Sequence, residues 1–423
     1  MKFRKFSFNC TKLYKVFEFW DMKAAKNPFA PGAGTQPPEL TGRSGNLKSV
    51  EVVLERVISG KSVRSVLLIG LRGVGKTVLL NRIHKMAEEE NYETVFIETP
   101  EGKPLAELLV PHLRQVLLRL DLVEGSKEKL RKAIAALRAF ASTFEIKIGD
   151  LGVGVRAPGL ADSGSLEADI IDLLVAVGEA AQEASTGVAI CLDELQYIAS
   201  NELAALLAGI HRIGQKNLPL VFFGAGLPQL TGLSGKAKSY AERLFEFQKI
   251  GQLDEDDAKL ALREPIEKAG AYIDDDALEY IFEITEGYPY FLQEWGAHAW
   301  NRALGSPITI EDARAATEDA INTLDESFFR VRFDRLTKGE KEYLRAMAEL
   351  GPGAHRSGDI AKVLGKSAQT VAPTRANVIS KGMVYAPAYG DNAFTVPKFD
   401  EYMKRVMPEF KPAKQRKPSE TKK

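Results

Sequence analysis

At 423 residues the chain is too long for one ordinary hydrophobic core, so two or three domains are expected. Hydrophobic residues at 45% and charged residues at 27%, with Lys+Arg and Asp+Glu both at 57, describe a folded globular protein; they exclude a disordered chain and one whose overall charge selects nucleic acid. Two cysteines, Cys10 and Cys191, exclude a disulfide framework, five scattered histidines lack zinc spacing, and no apolar run reaches the roughly 18 residues of a bilayer span, so a cytoplasmic protein is expected.

Residues 1–26 mix lysines with aromatics but hold neither an apolar h-region nor a small-residue cleavage site, which argues against a secretory signal. They read as a loose extension, as an interfacial helix, or as a start mis-assigned ahead of Met22. The Pro/Gly-rich run 27–38 predicts an arm laid over the surface. From Leu47 the pattern gives a helix to Ser59, an apolar strand Ser65–Ile69, a glycine loop, a helix Lys76–Glu89 and a strand Thr94–Thr99. Helices Pro104–Leu120 and Ser126–Ala141, a hairpin-like stretch 144–156 and a helix Asp169–Ala184 come next. Strands Val188–Leu192, Leu220–Phe223 and Glu246–Ile250, with a helix Asn201–Ile213, complete an α/β domain over 27–253. Its unbroken apolar strands imply a parallel sheet covered on both faces. Residues 254–335 carry only amphipathic helix patterns. Residues 336–408 run helix, helix, helix, hairpin, the order of a winged helix-turn-helix, and 409–423 form a basic tail.

The chemistry concentrates in Gly70-Leu71-Arg72-Gly73-Val74-Gly75-Lys76-Thr77, which satisfies GxxxxGK[ST] between a strand and a helix. Glycines let successive amides, continued by Val78, curl around phosphates at a helix N-terminus. Lys76 is placed to neutralise the β- and γ-phosphates of ATP, and Thr77 to ligate Mg²⁺. The second half is the apolar strand ending in Asp193-Glu194, at the sheet edge where parallel folds bind ligands. Asp193 is expected to hold Mg²⁺, Glu194 to orient or deprotonate the attacking water. Hydrolysis also calls for an arginine on the γ-phosphate, in cis or from a neighbouring subunit. Arg243, at a helix end before the strand Glu246–Ile250, is the candidate; equally, it offsets the helix dipole.

With these motifs the chain resembles the AAA+ class of P-loop ATPases, in particular the group holding archaeal-type ATPases, origin-recognition-like initiators and STAND signalling ATPases. The resemblance spans 27–405 and adds Leu40-Thr-Gly-Arg43, Leu192-Asp-Glu-Leu-Gln-Tyr197 and Glu286-Gly-Tyr-Pro289. It implies a five-stranded parallel sheet, a helical lid and a winged helix, with Arg43 and Pro289 near the base or ribose. Two departures stand out. Phe223-Gly-Ala-Gly-Leu-Pro228 follows the fourth strand where the class has a polar sensor, and the lid has Gly-Tyr-Pro in place of an arginine sensor. The first leaves the γ-phosphate sensor unassigned and favours a protein with little hydrolysis; the second points to the STAND-like side and a slow, switch-like ATPase.

In the winged helix, Thr370–Lys381 reads as the recognition helix, exposing Gln369, Thr374, Arg375, Asn377 and Lys381 to double-stranded DNA. Winged helices also dock proteins, so DNA, an unidentified protein partner and a second copy of the chain are all candidate partners. Two functions compete: an ATP-hydrolysing molecular switch, and a nucleotide-loaded DNA-binding regulator or scaffold with little hydrolysis. A P-loop kinase is disfavoured by the lack of an acceptor pocket and an arginine-rich lid.

Overall fold

The computed structural model describes residues 22–32, 40–121, 128–147, 159–232 and 241–411. Five strands, β1 (Ser65–Ile69), β2 (Glu93–Glu98), β3 (Val188–Asp193), β4 (Leu220–Gly226) and β5 (Phe245–Lys249), pair in parallel in the order β2-β3-β4-β1-β5. The three inner strands are buried along their whole length, which is why they read as unbroken apolar runs. The edge strands β2 and β5 keep half-exposed positions. Because β4 lies between β1 and β3, the carboxyl ends of those two strands face each other across it. That crevice is where an open α/β sheet receives a ligand.

Helices Leu105–Leu120, Glu128–Thr143, Leu166–Glu183 and Ser200–Lys216 cover one face of the sheet. The other face packs on helices Ser44–Ile58 and Lys76–Glu89 and continues into a helical layer: Glu255–Lys268, Asp275–Thr285, Pro289–Arg302 and Ile310–Thr323. Local signals set the helix starts. Asp254 accepts from the Asp257 amide at 2.9 Å, Pro289 occupies the first turn, and Thr309 with Asp312 forms a reciprocal capping box. Trp295 and Trp300 are fully buried in this layer, a burial of about 1.5–3 kcal/mol per large side chain.

A widened π-type turn, Leu324–Phe329, carries the last of these helices into Arg330–Asp334 and on to the C-terminal region. There, helices Lys338–Glu349, Ser357–Val363 and Ala368–Ser380 pack with β6 (His355–Arg356), β7 (Val384–Tyr385) and β8 (Asp391–Phe394), an antiparallel sheet in the order β6-β8-β7. Helix Phe399–Val406 then returns against Lys338–Glu349. The strand β6 was not expected; at two residues it is too short to show alternation.

The start of the described chain differs from a loose extension. Residues 24–26 form a short 3₁₀ turn, the Lys23 carbonyl accepts from the Trp300 indole at 3.1 Å, and Phe29 is only 5% exposed. Asn27 donates to the Ala297 carbonyl at 2.9 Å, so the arm is fixed on the helix Pro289–Arg302. The hairpin expected over 144–156 lies largely outside the described residues, and its described part, 144–147, is turn and coil. Among the described residues no helix is long and apolar enough to cross a membrane.

Candidate functional site

β1 ends at Ile69 and the helix opens at Lys76, so 70–75 must reverse the chain within six residues. Gly75 does this at φ +90, a left-handed conformation that a side chain would strain. Lys76 is 6% exposed and donates through Nζ to the Leu71 carbonyl at 2.8 Å. Burial lowers its pKa to about 8 against the opposing pull of Glu194 and Asp193. Across β4, at the end of β3, the Thr77 hydroxyl donates to Asp193 Oδ2 at 2.6 Å, and Asp193 Oδ1 accepts from the Glu194 amide at 2.7 Å. Burial pushes the Asp193 carboxyl up, and the Thr77 hydrogen bond opposes it. The lysine, the hydroxyl and both acids thus line one cavity of about 610 Å³. One hydroxyl and one carboxylate, with room beside them, suit Mg²⁺, which takes oxygen ligands and keeps waters and phosphate oxygens.

Glu194 adopts φ 54, a left-handed conformation uncommon for a side-chain-bearing residue. Its carboxylate is held from two sides. Arg72 Nη1 lies 3.7 Å from Oε1, and the Gln196 amide donates to Oε2. Gln196 Oε1 in turn accepts from the Leu227 amide at 3.1 Å, just past β4. A Cβ at Gly226 would stand 3.0 Å from that oxygen and 2.9 Å from Leu230. The end of β4 is thus packed against Leu230 and Gln196, and Gln196 is a polar group beside it.

Arg72 is the junction of the site. Its Nη2 donates to the Tyr197 hydroxyl at 2.6 Å, its carbonyl accepts from the Tyr288 hydroxyl, and its amide donates to the Thr395 carbonyl at 3.1 Å. Three separate parts of the chain meet on this one loop residue. The Tyr290 amide donates to the Gly73 carbonyl at 3.2 Å, which sets the helix begun by Pro289 against the loop. Arg43 Nη2 donates to the Gly251 carbonyl at 2.5 Å and the Val74 carbonyl at 3.4 Å. It lines the cavity while bracing the loop, and burial lowers its pKa. Val78 and Pro289 line the cavity as well.

Away from the loop, Ala30–Gly32, Leu40 and Leu292 give the cavity an apolar end, and Gln293 also lines it. The Gln293 Oε1 is buried without a hydrogen-bond partner among the described residues. Arg332 lines the cavity too, and nothing in its local sequence marked it. Its guanidinium lies 4.0 Å from the Phe328 ring centre, and Phe328 stacks on Tyr290 at 4.4 Å.

Arg243 is elsewhere. It immediately precedes β5, whose first residue Phe245 pairs with Ser65 at the start of β1, whereas the phosphate loop follows the end of β1. The length of that strand, roughly 16 Å, separates them. Arg243 lines a second cavity of about 740 Å³ with Arg56, Lys61, Arg64 and Glu246. A role in cis is thereby corrected: strand direction puts Arg243 at the wrong end of its own sheet.

On the helix Ala368–Ser380, Gln369 and Asn377 are exposed and Thr374 is half-buried. Two other candidates are occupied. Arg375 donates to Asn392 Oδ1 at 2.7 Å and the Asp391 carbonyl at 3.1 Å, and Lys381 donates to Glu340 at 2.7 Å and the Arg335 carbonyl at 3.1 Å. Both tie the helix to its own domain, so the structure gives them bracing partners where the sequence suggested open DNA contacts.

Residues 39–223 match the family described as AAA ATPase domain, and residues 326–403 match a domain of unknown function. No curated protein matches the chain. Among solved structures the chain is similar to the RuvB Holliday junction branch migration motor of Thermotoga maritima, at 15% identity over 88% of this chain and 99% of that chain, TM-score 0.44. It is also similar to the Aeropyrum pernix ORC1 protein in complex with DNA, at 14% identity over 88% and 96%, TM-score 0.44. A third is Cdc6p from Pyrobaculum aerophilum, at 14% over 89% and 97%, TM-score 0.43. The loop between β1 and its helix lies inside the segment, residues 39–223, that matches the AAA ATPase domain.

Proposed function

We propose that this AAA+ ATPase domain binds Mg·ATP, hydrolyses it slowly, and uses the nucleotide state to reposition the C-terminal region, which we read as a winged helix. The observation that carries the reading is Arg72, which joins the phosphate loop to Glu194 through its side chain and to Thr395 through its amide. A ligand that moves this loop acts on the proposed catalytic carboxylate and on the C-terminal hairpin together.

In this reading the loop amides and Lys76 hold the triphosphate, and Thr77 and Asp193 hold Mg²⁺. The metal supplies charge neutralisation on the phosphate oxygens. Glu194 accepts the proton of the attacking water once Arg72 and Gln196 release it. Arg243, turned away from its own loop, would serve a neighbouring subunit if copies assemble. The exposed Gln369 and Asn377 are the remaining groups for DNA, and a protein partner is the other occupant of that face.

A second reading, a nucleotide-loaded regulator without turnover, is favoured by the same ties, which engage both oxygens of Glu194. Phosphate release from the wild type and from Glu194→Gln, with and without duplex DNA, separates the two. Turnover lost in the variant supports hydrolysis; equal background release from both leaves only the second reading.

A further inference from the structure

Arg332 stands in an unusual place for a cation. It leaves the short helix Arg330–Asp334, in the connection between the helical layer and the C-terminal region, and reaches the nucleotide cavity. Its guanidinium is fixed on the Phe328 ring and donates to the Phe328 carbonyl. Burial, and after it the cationic neighbour Arg72, lowers its pKa to about 10, so it remains protonated at neutral pH. The charged side chains felt there are Arg72 and, more weakly, Glu194; Tyr288 and Tyr290 are its hydroxyl neighbours. Among the described residues Glu194 is ion-paired with Arg72, and no carboxylate lies within ion-pair distance of Arg332. Arg332 is half-buried, and a partly desolvated charge without a counter-ion is costly; the neighbouring cation Arg72 raises that cost. An anion entering the cavity removes it.

From this geometry we infer that Arg332 contacts the terminal phosphate of ATP in cis and stabilises the charge that develops there. The inference rests on the ATPase reading above and deepens it, giving to Arg332 the in-cis role that Arg243 cannot reach. The reaction balances simply. The water oxygen bonds to the γ-phosphorus, the bond from phosphorus to the bridging oxygen of ADP breaks, and the water proton passes to Glu194 and then to solvent. Arg332 exchanges no proton and acts by charge and by its planar donors. Its position matters for a second reason. Because it sits on the connection to the C-terminal region, its grip on a phosphate present in ATP and absent in ADP makes that connection nucleotide-sensitive.

The test compares ADP with a non-hydrolysable ATP analogue by calorimetry on the full chain, for wild type, Arg332→Ala, Arg332→Gln and Arg332→Lys. The expected result is a loss of at least about tenfold for the ATP analogue in Arg332→Ala and Arg332→Gln, with ADP affinity held within about threefold and partial recovery in Arg332→Lys. Phosphate release in the first two variants should fall by at least about 100-fold. Equal losses for both nucleotides, or a fall in thermal stability with an unchanged affinity ratio, would mark a structural arginine and overturn the proposal. Failure of the wild type to bind either nucleotide would instead remove the ATPase reading, and this proposal with it.

Discussion

The amide of Arg72, in the phosphate loop, donates to the carbonyl of Thr395 at 3.1 Å, so the nucleotide site and the C-terminal hairpin share a main-chain bond. Thr395 is itself fully buried and donates through its hydroxyl to the Gly382 and Met383 carbonyls, just past the helix Ala368–Ser380, which gives the proposed switch a path of hydrogen bonds. Coupling of this kind needs two arrangements of the loop, and the nucleotide is the natural source of the second.

Arg72→Ala tests the restraint on Glu194. The pair is partly buried, with side chains 18% and 21% exposed, and such a contact is worth about 1 kcal/mol. Its loss should raise basal phosphate release by about fivefold, because the carboxylate becomes free to meet water. A measured fall in the single-turnover rate would show that Arg72 assists the chemistry instead of restraining it.

Lys76 gives nucleotide binding a pH signature. Burial lowers its pKa to about 8 in the empty site, and a bound phosphate raises it again by favouring the charged form. Binding therefore takes up a proton as pH rises through 8, and affinity falls by up to about tenfold per pH unit above that point. Calorimetry at pH 8.5 in buffers of different ionisation enthalpy measures the uptake directly. No buffer dependence there would mean that the ammonium is already charged in the free protein.

Arg375 and the pair Gln369/Asn377 should separate stability from binding. Removing the Arg375 side chain leaves the fully buried Asn392 short of a donor, at a cost of about 2 kcal/mol. Arg375→Ala is thus expected to lower the melting temperature, whereas Gln369→Ala with Asn377→Ala leaves it unchanged and weakens retention of duplex DNA at low salt. Unchanged DNA retention in that double variant would direct the search to a protein occupant of the same face.

Gln293 offers a base-reading test. A side-chain amide can hydrogen-bond adenine at N6 and N7 together, a pattern guanine does not match. Gln293→Leu should reduce the preference for ATP over GTP by about tenfold, measured by competition with a fluorescent analogue. An unaltered preference would leave the buried Oε1 without a role in selection.

Much of the sheet and of the phosphate loop was legible in the sequence because both are written locally. Ser65–Ile69 and Val188–Asp193 are apolar runs with clear ends, and the glycine spacing before Lys76 fixes a backbone path. What periodicity could not reveal was partnership across long separations. Arg375 and Lys381 fall on the polar side of their helix, yet Asn392 and Glu340 claim them. Arg332 carries no motif and matters only because the connection containing it returns to the cavity. That Arg243 is remote from its own phosphate loop was legible too: in a parallel sheet a residue just before β5 lies at the end of the sheet away from the carboxyl end of β1.

The arm that begins the described chain has a bearing on how long a nucleotide stays. Ala30–Gly32 roof the cavity, and Phe29 and Asn27 clamp the same segment to the helix Pro289–Arg302. On the ATPase reading proposed above, ADP would leave past this strap. Phe29→Ala, which removes the side chain that clamps the strap, should then shorten the ADP dwell time in a stopped-flow chase.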